Sequence, residues 1–284
     1  MKCILCGKNR EKIFKALNGI NIYECKFCKL GFINQSDTKN LTSNHLYSYS
    51  EYQKNEKELK KRFLRLLKII RKYKKEGCVL DVGGGFGLFS SILQSRSNYK
   101  VDLLEPINKP RYIQNSKINH IREYFQIYAS HTKKKYDLII MLDIIEHFND
   151  PLKALRNARK LLKSDGIFIL QTPNYQSLMQ YLCKNWSWWM IKDHKFFFSS
   201  KSIRLMHKKI GFHIKSLISY EDFNDFKKNL DGNFTNIKFI SERRIKKLLF
   251  FSIFIPIYFC LKEVIWRMKK GGLIFTISSY GKFK

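Results

Sequence analysis

Three alternating glycines after a short apolar run form the clearest ligand-binding pattern in the sequence. The run ends at Asp81, the glycines are Gly83, Gly85 and Gly87, and a helix-type apolar stretch begins at Leu88. Glycine lets the backbone turn sharply and approach a ligand that a Cβ would push away. A loop at the carboxyl end of a first strand is where open α/β sheets bind ligands. The pattern therefore predicts a cofactor site at this loop.

The glycine spacing argues against two common nucleotide sites. A dinucleotide fingerprint needs a third glycine three residues after its second, and Leu88 stands at that distance from Gly85. A triphosphate loop needs Gly-Lys followed by Ser or Thr, which this segment lacks. A nicotinamide cofactor is therefore disfavoured, and a triphosphate is excluded at this loop.

Four cysteines near the amino terminus have the spacing of metal ligands. They form two Cys-x-x-Cys pairs, Cys3 with Cys6 and Cys25 with Cys28. Four thiolates at this spacing predict a closed tetrahedral zinc site, which leaves no open position for catalysis. A redox couple or two unrelated pairs is the alternative. A module of about 40 residues has too little core to fold alone, so the metal would supply its stability. Ile13 and Phe14, and residues 21–23, are the expected short strands.

Further segments repeat the alternation of strand and helix. Lys100 to Leu104 reads as a second strand that ends at Glu105, eighteen residues after Gly87. A carboxylate there can accept both hydroxyls of a ribose. A buried strand from Tyr136 to Asp143 runs into Glu146, and residues 161–174 read as helix end, turn and fifth strand. This order predicts a doubly wound, mainly parallel sheet.

In their residues and in their order, these segments resemble the class I S-adenosylmethionine-dependent methyltransferases, in the group that includes the quinone O-methyltransferases. The resemblance covers roughly residues 78 to 220 and implies a seven-stranded Rossmann-like α/β domain. Its cofactor carries an ammonium and a sulfonium, which suits an acid at the end of the strand. The residues expected to bind S-adenosylmethionine are Asp81, Gly83, Gly85, Gly87, Glu105, Met141, Leu142 and Asp143.

Three residues are candidates for catalysis: Glu146, His147 and His194. If a helix begins at Asp143, then Asp143, Glu146 and His147 share one face at i, i+3 and i+4. The resemblance implies a divalent cation there, although Asp143 stands where Glu is usual. The alternative is that Glu146 and His147 only cap or stabilise this helix and bind no cation. His194 follows a tryptophan-rich segment expected to cover the acceptor, and as an imidazole it is a candidate base; a bond to neighbouring backbone is its alternative.

The remaining stretches position these residues. Residues 34–55 suggest an ordered connector or lid, and the periodicity predicts one amphipathic helix from Glu51 to Lys75, ended by Gly77, with its basic face in solvent. Ser200 is the expected N-cap of a helix over Lys201 to Ile210. We expect a zinc ribbon over 1–40, a connector and helix over 41–77, and a methyltransferase domain over 78–284.

An insert at about 222–270 precedes the last strand, Gly272 to Tyr280, which we expect to close the sheet antiparallel to the others. Residues 248–261 are apolar and lie between basic flanks. They are too few to span a bilayer. They suit either the surface of an anionic membrane or a hairpin packed on the sheet or across a dimer.

Composition limits the classes of function. The 284 residues are 44% hydrophobic and carry a net charge of +31, which indicates either an anionic partner or a lysine-rich solvated surface. Seven cysteines without an opening export signal favour the cytoplasm. Within the cytoplasm, we also consider peripheral attachment to the inner face of the membrane. The predicted activity is methylation of a small-molecule, glycan or lipid-linked precursor. Ribosomal or transfer RNA is the alternative acceptor, and a non-enzymatic binding module is the third possibility.

Overall fold

A computed structural model describes residues 2–8, 13–17, 19–34, 49–106, 110–234, 252 and 256–281. Its strands form two sheets. In chain order they are β1 (Lys15–Leu17), β2 (Ile20–Glu24), β3 (Gly31–Ile33), β4 (Glu76–Val82), β5 (Asn98–Leu104), β6 (Asn119–Ile121), β7 (Tyr136–Leu142), β8 (Leu162–Pro173), β9 (Phe196–Phe197), β10 (His213–Tyr220) and β11 (Leu273–Ser279).

The larger sheet has seven strands in the order β10-β11-β8-β7-β4-β5-β6. The pairs from β6 through β8 are parallel, and β11 runs antiparallel to both β8 and β10. The predicted mainly parallel, seven-stranded sheet with an antiparallel last strand is therefore confirmed. The order reverses beside β4, so the glycine loop after β4 lies at the switch point where such sheets bind ligands.

Helices cover both faces of the larger sheet. Alternate residues of β4 face opposite sides, so Val79 joins one apolar core while Leu80 and Val82 join the other. The first core includes α2 and α3, and the second includes α4, α5 and α7. The helices are α1 (Tyr49–Lys54), α2 (Glu56–Ile70), α3 (Leu88–Ser95), α4 (Phe125–His131), α5 (Pro151–Leu161), α6 (Leu178–Leu182), α7 (Ser200–Ile210), α8 (Phe223–Phe234) and α9 (256–267).

The smaller sheet joins the cysteine-bearing segment to the rest of the chain. Its order is β1-β2-β3-β9, and each neighbouring pair is antiparallel. β9 belongs to the stretch after β8, with Gly31 opposite Phe197 and Phe32 opposite Phe196. The predicted strand at Ile13 and Phe14 begins two residues later, at Lys15. The cysteine module therefore shares one sheet with the segment that follows the tryptophan-rich stretch.

Three predicted boundaries are wrong. The single helix over Glu51 to Lys75 is two helices, because Asn55 leaves helical geometry at φ −100° and ψ 2°. α2 ends at Ile70, and Gly77 lies within β4 at φ +124° rather than ending a helix. Ser199, not Ser200, caps α7, since its side chain accepts the backbone N–H of Ser202.

Most of the predicted apolar stretch 248–261 lies outside the described residues; residue 252 and 256–261 are described. Among the described residues, none of the helices is both long and apolar enough to cross a membrane.

Candidate cofactor and acceptor site

The glycine loop adopts backbone conformations that favour glycine. Gly83, Gly85 and Gly87 have φ values of +71°, +57° and +85°, in the left-handed region that residues with a Cβ rarely enter. A Cβ on Gly83 would stand 2.8 Å from Cγ1 of Ile144, which follows β7. The loop therefore needs glycine both for its turn and for its close approach to the neighbouring strand end.

Asp81 stabilises the start of this loop. Its buried carboxylate accepts a 2.6 Å hydrogen bond from the hydroxyl of Ser90 on α3. Burial raises the pKa of Asp81 to about 6; the Ser90 bond opposes this shift, and the nearby Glu105 adds to it. The position fits the expected loop-ordering role, since the carboxylate ties the start of the loop to the following helix.

Glu105 stands directly after β5, beside the loop. It is 6% exposed, and its Oε2 accepts the backbone N–H of Gly85 at 3.0 Å. The acid expected to bind a ribose therefore touches the loop expected to bind the rest of the cofactor. Of the other two expected pocket residues, Met141 is fully buried in the core, whereas Leu142 is partly exposed at the end of β7.

Asp143 is held by residues from two other elements. Its φ is +53°, its Oδ2 accepts Nη2 of Arg62 at 2.9 Å, and both its carboxylate oxygens lie 2.9–3.0 Å from Nε2 of Gln171. The side chain of Arg62 is only 11% exposed, whereas the remaining basic residues of α2 are exposed, as predicted: Lys57, Lys60, Lys61, Arg65 and Lys68. The sequence spacing could have predicted this burial, because Arg62 lies three residues after Leu59 and four before Leu66, on the apolar face.

The predicted common face of Asp143, Glu146 and His147 does not form. β7 is followed by a short 3-10 turn, Ile145–His147, rather than an α-helix, and the left-handed Asp143 points its carboxylate to Arg62 and Gln171. The cation set implied by the resemblance therefore does not fit this chain, because one of its three ligands is already engaged. We derive no step through that cation.

His194 takes the place that Asp143 was expected to fill. Ligand-type atoms of Glu146, His147 and His194 all lie within 4.8 Å of one another, close enough to hold a metal ion in principle. Oε2 of Glu146 accepts the hydroxyl of Thr172 at 3.0 Å, while Oε1 lacks a hydrogen-bond partner in the described structure and lies 4.0 Å from Nε2 of His194. The two imidazole rings meet edge to face at 4.8 Å.

Burial sets the protonation of these three groups. It raises the pKa of Glu146 well above its usual value, with the neighbouring Asp143 adding to the effect. It lowers the pKa of His194 well below 6.5, and that of His147 below 6.5. Nδ1 of His147 lies 3.0 Å from the carbonyl oxygen of Asp193. Because a carbonyl only accepts, Nδ1 carries the proton and Nε2 keeps its lone pair.

Aromatic rings wall this cluster. Trp188 stacks over His194 with ring centroids 6.4 Å apart, and Phe197 lies 6.2 Å from the same ring. On the cofactor side, Tyr49 and Tyr52 of α1 pack their rings against Phe86 of the glycine loop at 5.3 and 5.2 Å. The described part of the predicted lid thus contacts the loop directly.

The cysteine module is attached to the segment between β8 and α7 by hydrogen bonds as well as by β9. The hydroxyl proton of Tyr175 is shared between Oε2 of Glu24 at 2.7 Å and the carbonyl oxygen of Lys29 at 3.0 Å. The hydroxyl of Ser199 donates to the same carbonyl at 2.8 Å. Sequence reasoning missed Tyr175 and Ser199, since nothing local to either residue points to a module 150 residues away.

The four cysteines converge as their spacing predicts. Their Sγ atoms all lie within 4.8 Å of one another, with Cys3 and Cys28 at 3.6 Å and Cys6 and Cys25 at 3.5 Å. Cys3, Cys25 and Cys28 are buried and Cys6 is partly exposed. None of the four is in a disulfide.

Comparisons with known proteins agree with this geometry. The methyltransferase-domain family matches residues 50–217, which include the glycine loop, Glu105 and the Glu146 cluster. This chain belongs to the methyltransferase-domain family. Among curated relatives, a ubiquinone biosynthesis O-methyltransferase of Haemophilus ducreyi is 29% identical over 106 residues, which cover 34% of this chain and 45% of that protein. The chain thus spans less than half the length of this relative.

Solved structures support the fold of this methyltransferase-domain protein. A SAM-dependent methyltransferase of Thermotoga maritima, described as a possible histamine N-methyltransferase, superposes with a TM-score of 0.52 at 16% identity, over 81% of this chain and 95% of that one. The plantazolicin methyltransferase BamL, solved with SAH and a substrate analogue, gives 0.53 at 14% identity, over 81% and 89%. At these identities the likeness concerns the fold alone.

Proposed function

We propose that this chain transfers the methyl group of S-adenosylmethionine to an oxygen of a small-molecule, glycan or lipid-linked acceptor. The observation that carries the proposal is the convergence of Glu146, His147 and His194 in one cluster just after β7. Ile144, at the start of the same segment, lies against Gly83 of the glycine loop. Family membership and the O-methyltransferase name of the matched relative support the same reaction.

The loop and Glu105 fit the cofactor. Left-handed glycines let the backbone of the loop come close to a ligand, and the buried carboxylate of Glu105 can accept two ribose hydroxyls. When bound, S-adenosylmethionine supplies a methyl group on a sulfonium that is itself a good leaving group. The protein's main task is then to align the acceptor with that methyl group.

His147 is the proposed base. An acceptor hydroxyl must lose a proton, and the bond from Nδ1 to the carbonyl of Asp193 leaves Nε2 able to receive it. Its lowered pKa keeps the imidazole neutral at neutral pH. His194 is 2% exposed and faces Glu146, so we assign these two residues to positioning rather than to proton transfer.

We also propose that the four cysteines hold one structural zinc ion. Zinc–sulfur bonds of about 2.3 Å in a tetrahedron place the sulfurs about 3.8 Å apart, close to the 3.5 and 3.6 Å of the two shorter pairs. With four thiolates, the ion has no open position and supplies stability rather than chemistry.

A second candidate acceptor is RNA, which the net charge of +31 favours. Charge alone binds nucleic acid without sequence preference and weakens steeply with salt. Methylation of RNA at moderate salt, not binding, would therefore be needed to support this alternative.

The test is methyl transfer from radiolabelled S-adenosylmethionine to three pools from the source cells: membrane lipids, soluble glycans and small molecules, and total RNA. We expect label in the first or second pool, and a loss on the order of 10²-fold or more in His147→Gln. His131→Gln is the matched control, since His131 lies exposed on α4. Label in RNA alone would contradict the proposed acceptor class and identify RNA as the acceptor. Absence of label in every pool, with the cofactor bound, would contradict the activity.

A further inference from the structure

α9 is apolar on two opposite sides, and within the described residues its ring contacts with the rest of the domain come from one of them. On the packed side, Tyr258 stacks on Phe226 of α8 with ring centroids 4.0 Å apart, and Trp266 meets Tyr220 of β10 edge to face at 6.3 Å. These contacts account for how the helix is attached to the domain. They leave the opposite side of the helix without a role in that attachment.

The opposite side carries a stripe of large apolar residues, here called the α9 stripe: Ile257, Leu261, Val264 and Met268. The spacing i, i+4, i+7 and i+11 places them along one face. They are 49%, 49%, 53% and 65% exposed. Single exposed apolar residues are ordinary on protein surfaces, but a contiguous apolar face indicates an interaction surface.

The charge around the stripe identifies the kind of partner. Of the described residues 256–270, four are Lys or Arg and one is acidic. Arg267 and Lys270 lie exposed at the described end of the stripe. Cations beside an apolar helix face match the surface of a bilayer that contains anionic lipids, where apolar groups enter the interface and cations meet the headgroups.

The packed side of α9 leads to the proposed site. The hydroxyl of Tyr220, the residue under Trp266, donates to the side-chain oxygen of Gln171, and Gln171 donates to Asp143 beside the glycine loop. The amide of Asn174, at the end of β8, also donates to the carbonyl oxygen of Lys269 at 3.0 Å. A surface held by the stripe would therefore lie beyond α9, and the contacts of Trp266, Tyr220 and Gln171 would connect that helix to the strand ends.

We propose that the α9 stripe docks this protein on an anionic membrane surface, where it meets a lipid-linked acceptor. This inference rests on the proposed methyl transfer and narrows its acceptor to a molecule anchored in the bilayer. Docking by insertion of apolar side chains does not require a helix that crosses the membrane.

The experiment is flotation of the full-length protein with vesicles of phosphatidylcholine alone or mixed in equal parts with phosphatidylglycerol. We expect flotation with the mixed vesicles only, and at least about tenfold weaker binding when Leu261 and Val264 both become serine. Leu64→Ser with Ile127→Ser is the matched control, because these residues are 45% and 56% exposed on α2 and α4. That pair should float like the wild type. Arg267→Gln with Lys270→Gln should also weaken flotation with the mixed vesicles, because the headgroups lose two cations.

Three outcomes would overturn the docking proposal: no flotation, equal flotation of the stripe variant and the wild type, or a wild-type dimer that the stripe variant loses, which would make the stripe an interface between copies. Titration of the stripe variant with S-adenosylmethionine separates this proposal from the activity. Unchanged cofactor affinity with lost flotation supports docking, and loss of both would show that the substitutions damage the fold and that the stripe packs internally.

Discussion

Gly31 of the cysteine module lies directly opposite Phe197, three residues after His194, and a Cβ on Gly31 would stand 2.9 Å from the Cβ of Phe197. This close pairing makes the module part of the structure around the proposed catalytic cluster, Glu146, His147 and His194. Two further hydrogen bonds, from Tyr175 and Ser199 to the carbonyl oxygen of Lys29, fasten the same contact.

Gly31→Val should loosen this structure. The added side chain must displace Phe197, at a cost of about 1–3 kcal/mol for overpacking. We expect amide hydrogen exchange in residues 186–198 to become roughly tenfold faster or more, measured by mass spectrometry. Ala16→Val is the control, since Ala16 is exposed on β1, at the far edge of the same sheet. Unchanged exchange in Gly31→Val would show that the module does not hold the segment.

Removal of one of the four proposed zinc ligands should release the ion. Cys25→Ser removes a buried thiolate, and metal analysis of the purified protein should fall from one zinc per chain to none. The exposed Cys260→Ser is the matched control and should keep its zinc. Zinc retained at full occupancy in Cys25→Ser would contradict the assignment.

The mainly parallel character of the larger sheet, the glycine loop and the acid directly after β5 could all be predicted from sequence, because each depends on local pattern. Strand periodicity, turn glycines and an acid at a strand end are each encoded by residues that are close together in the sequence. The pairing of β3 with β9 could not be predicted in this way. It joins segments more than 160 residues apart, and two-residue strands leave no periodicity.

The error at Asp143 has a different cause. An Asp at a strand end followed by Glu and His reads equally well as a helix start, and only the tertiary contact with Arg62 and Gln171 selects the left-handed backbone seen in the structure. His194 enters the cluster for the same reason, since the wall that carries it is held by β9.

Arg62→Met should destabilise the fold. It leaves the carboxylate of Asp143 without its cation in a site where the two side chains are 11% and 19% exposed. Removing one partner of a largely buried ion pair costs about 3 kcal/mol, which urea denaturation can measure. Arg65→Met on the exposed face of α2 should cost less than about 0.5 kcal/mol. Equal stability of the two variants would contradict the burial of this pair.

The pKa of Asp81 predicts a pH dependence of stability. Its pKa in the fold is about 6 and should be near 3.9 in the unfolded chain, so the folded state binds the proton more tightly. As pH rises from about 4 to about 6, ionisation should cost the wild type about 3 kcal/mol relative to Asp81→Asn. Above about 6 the difference should stay constant. Denaturation curves of both proteins across this range measure it, and a flat difference would show that the pKa is not raised.

Binding of S-adenosylmethionine beside Glu105 is the central claim, and calorimetry of Glu105→Ala tests it most directly. Ribose hydroxyls would lose a charged acceptor, at about 1.5–3 kcal/mol per bond, so we predict an affinity at least about tenfold weaker than that of the wild type. Glu76→Ala, at the opposite end of β4 and exposed, should bind normally. An affinity of Glu105→Ala equal to that of the wild type would contradict this placement of the cofactor.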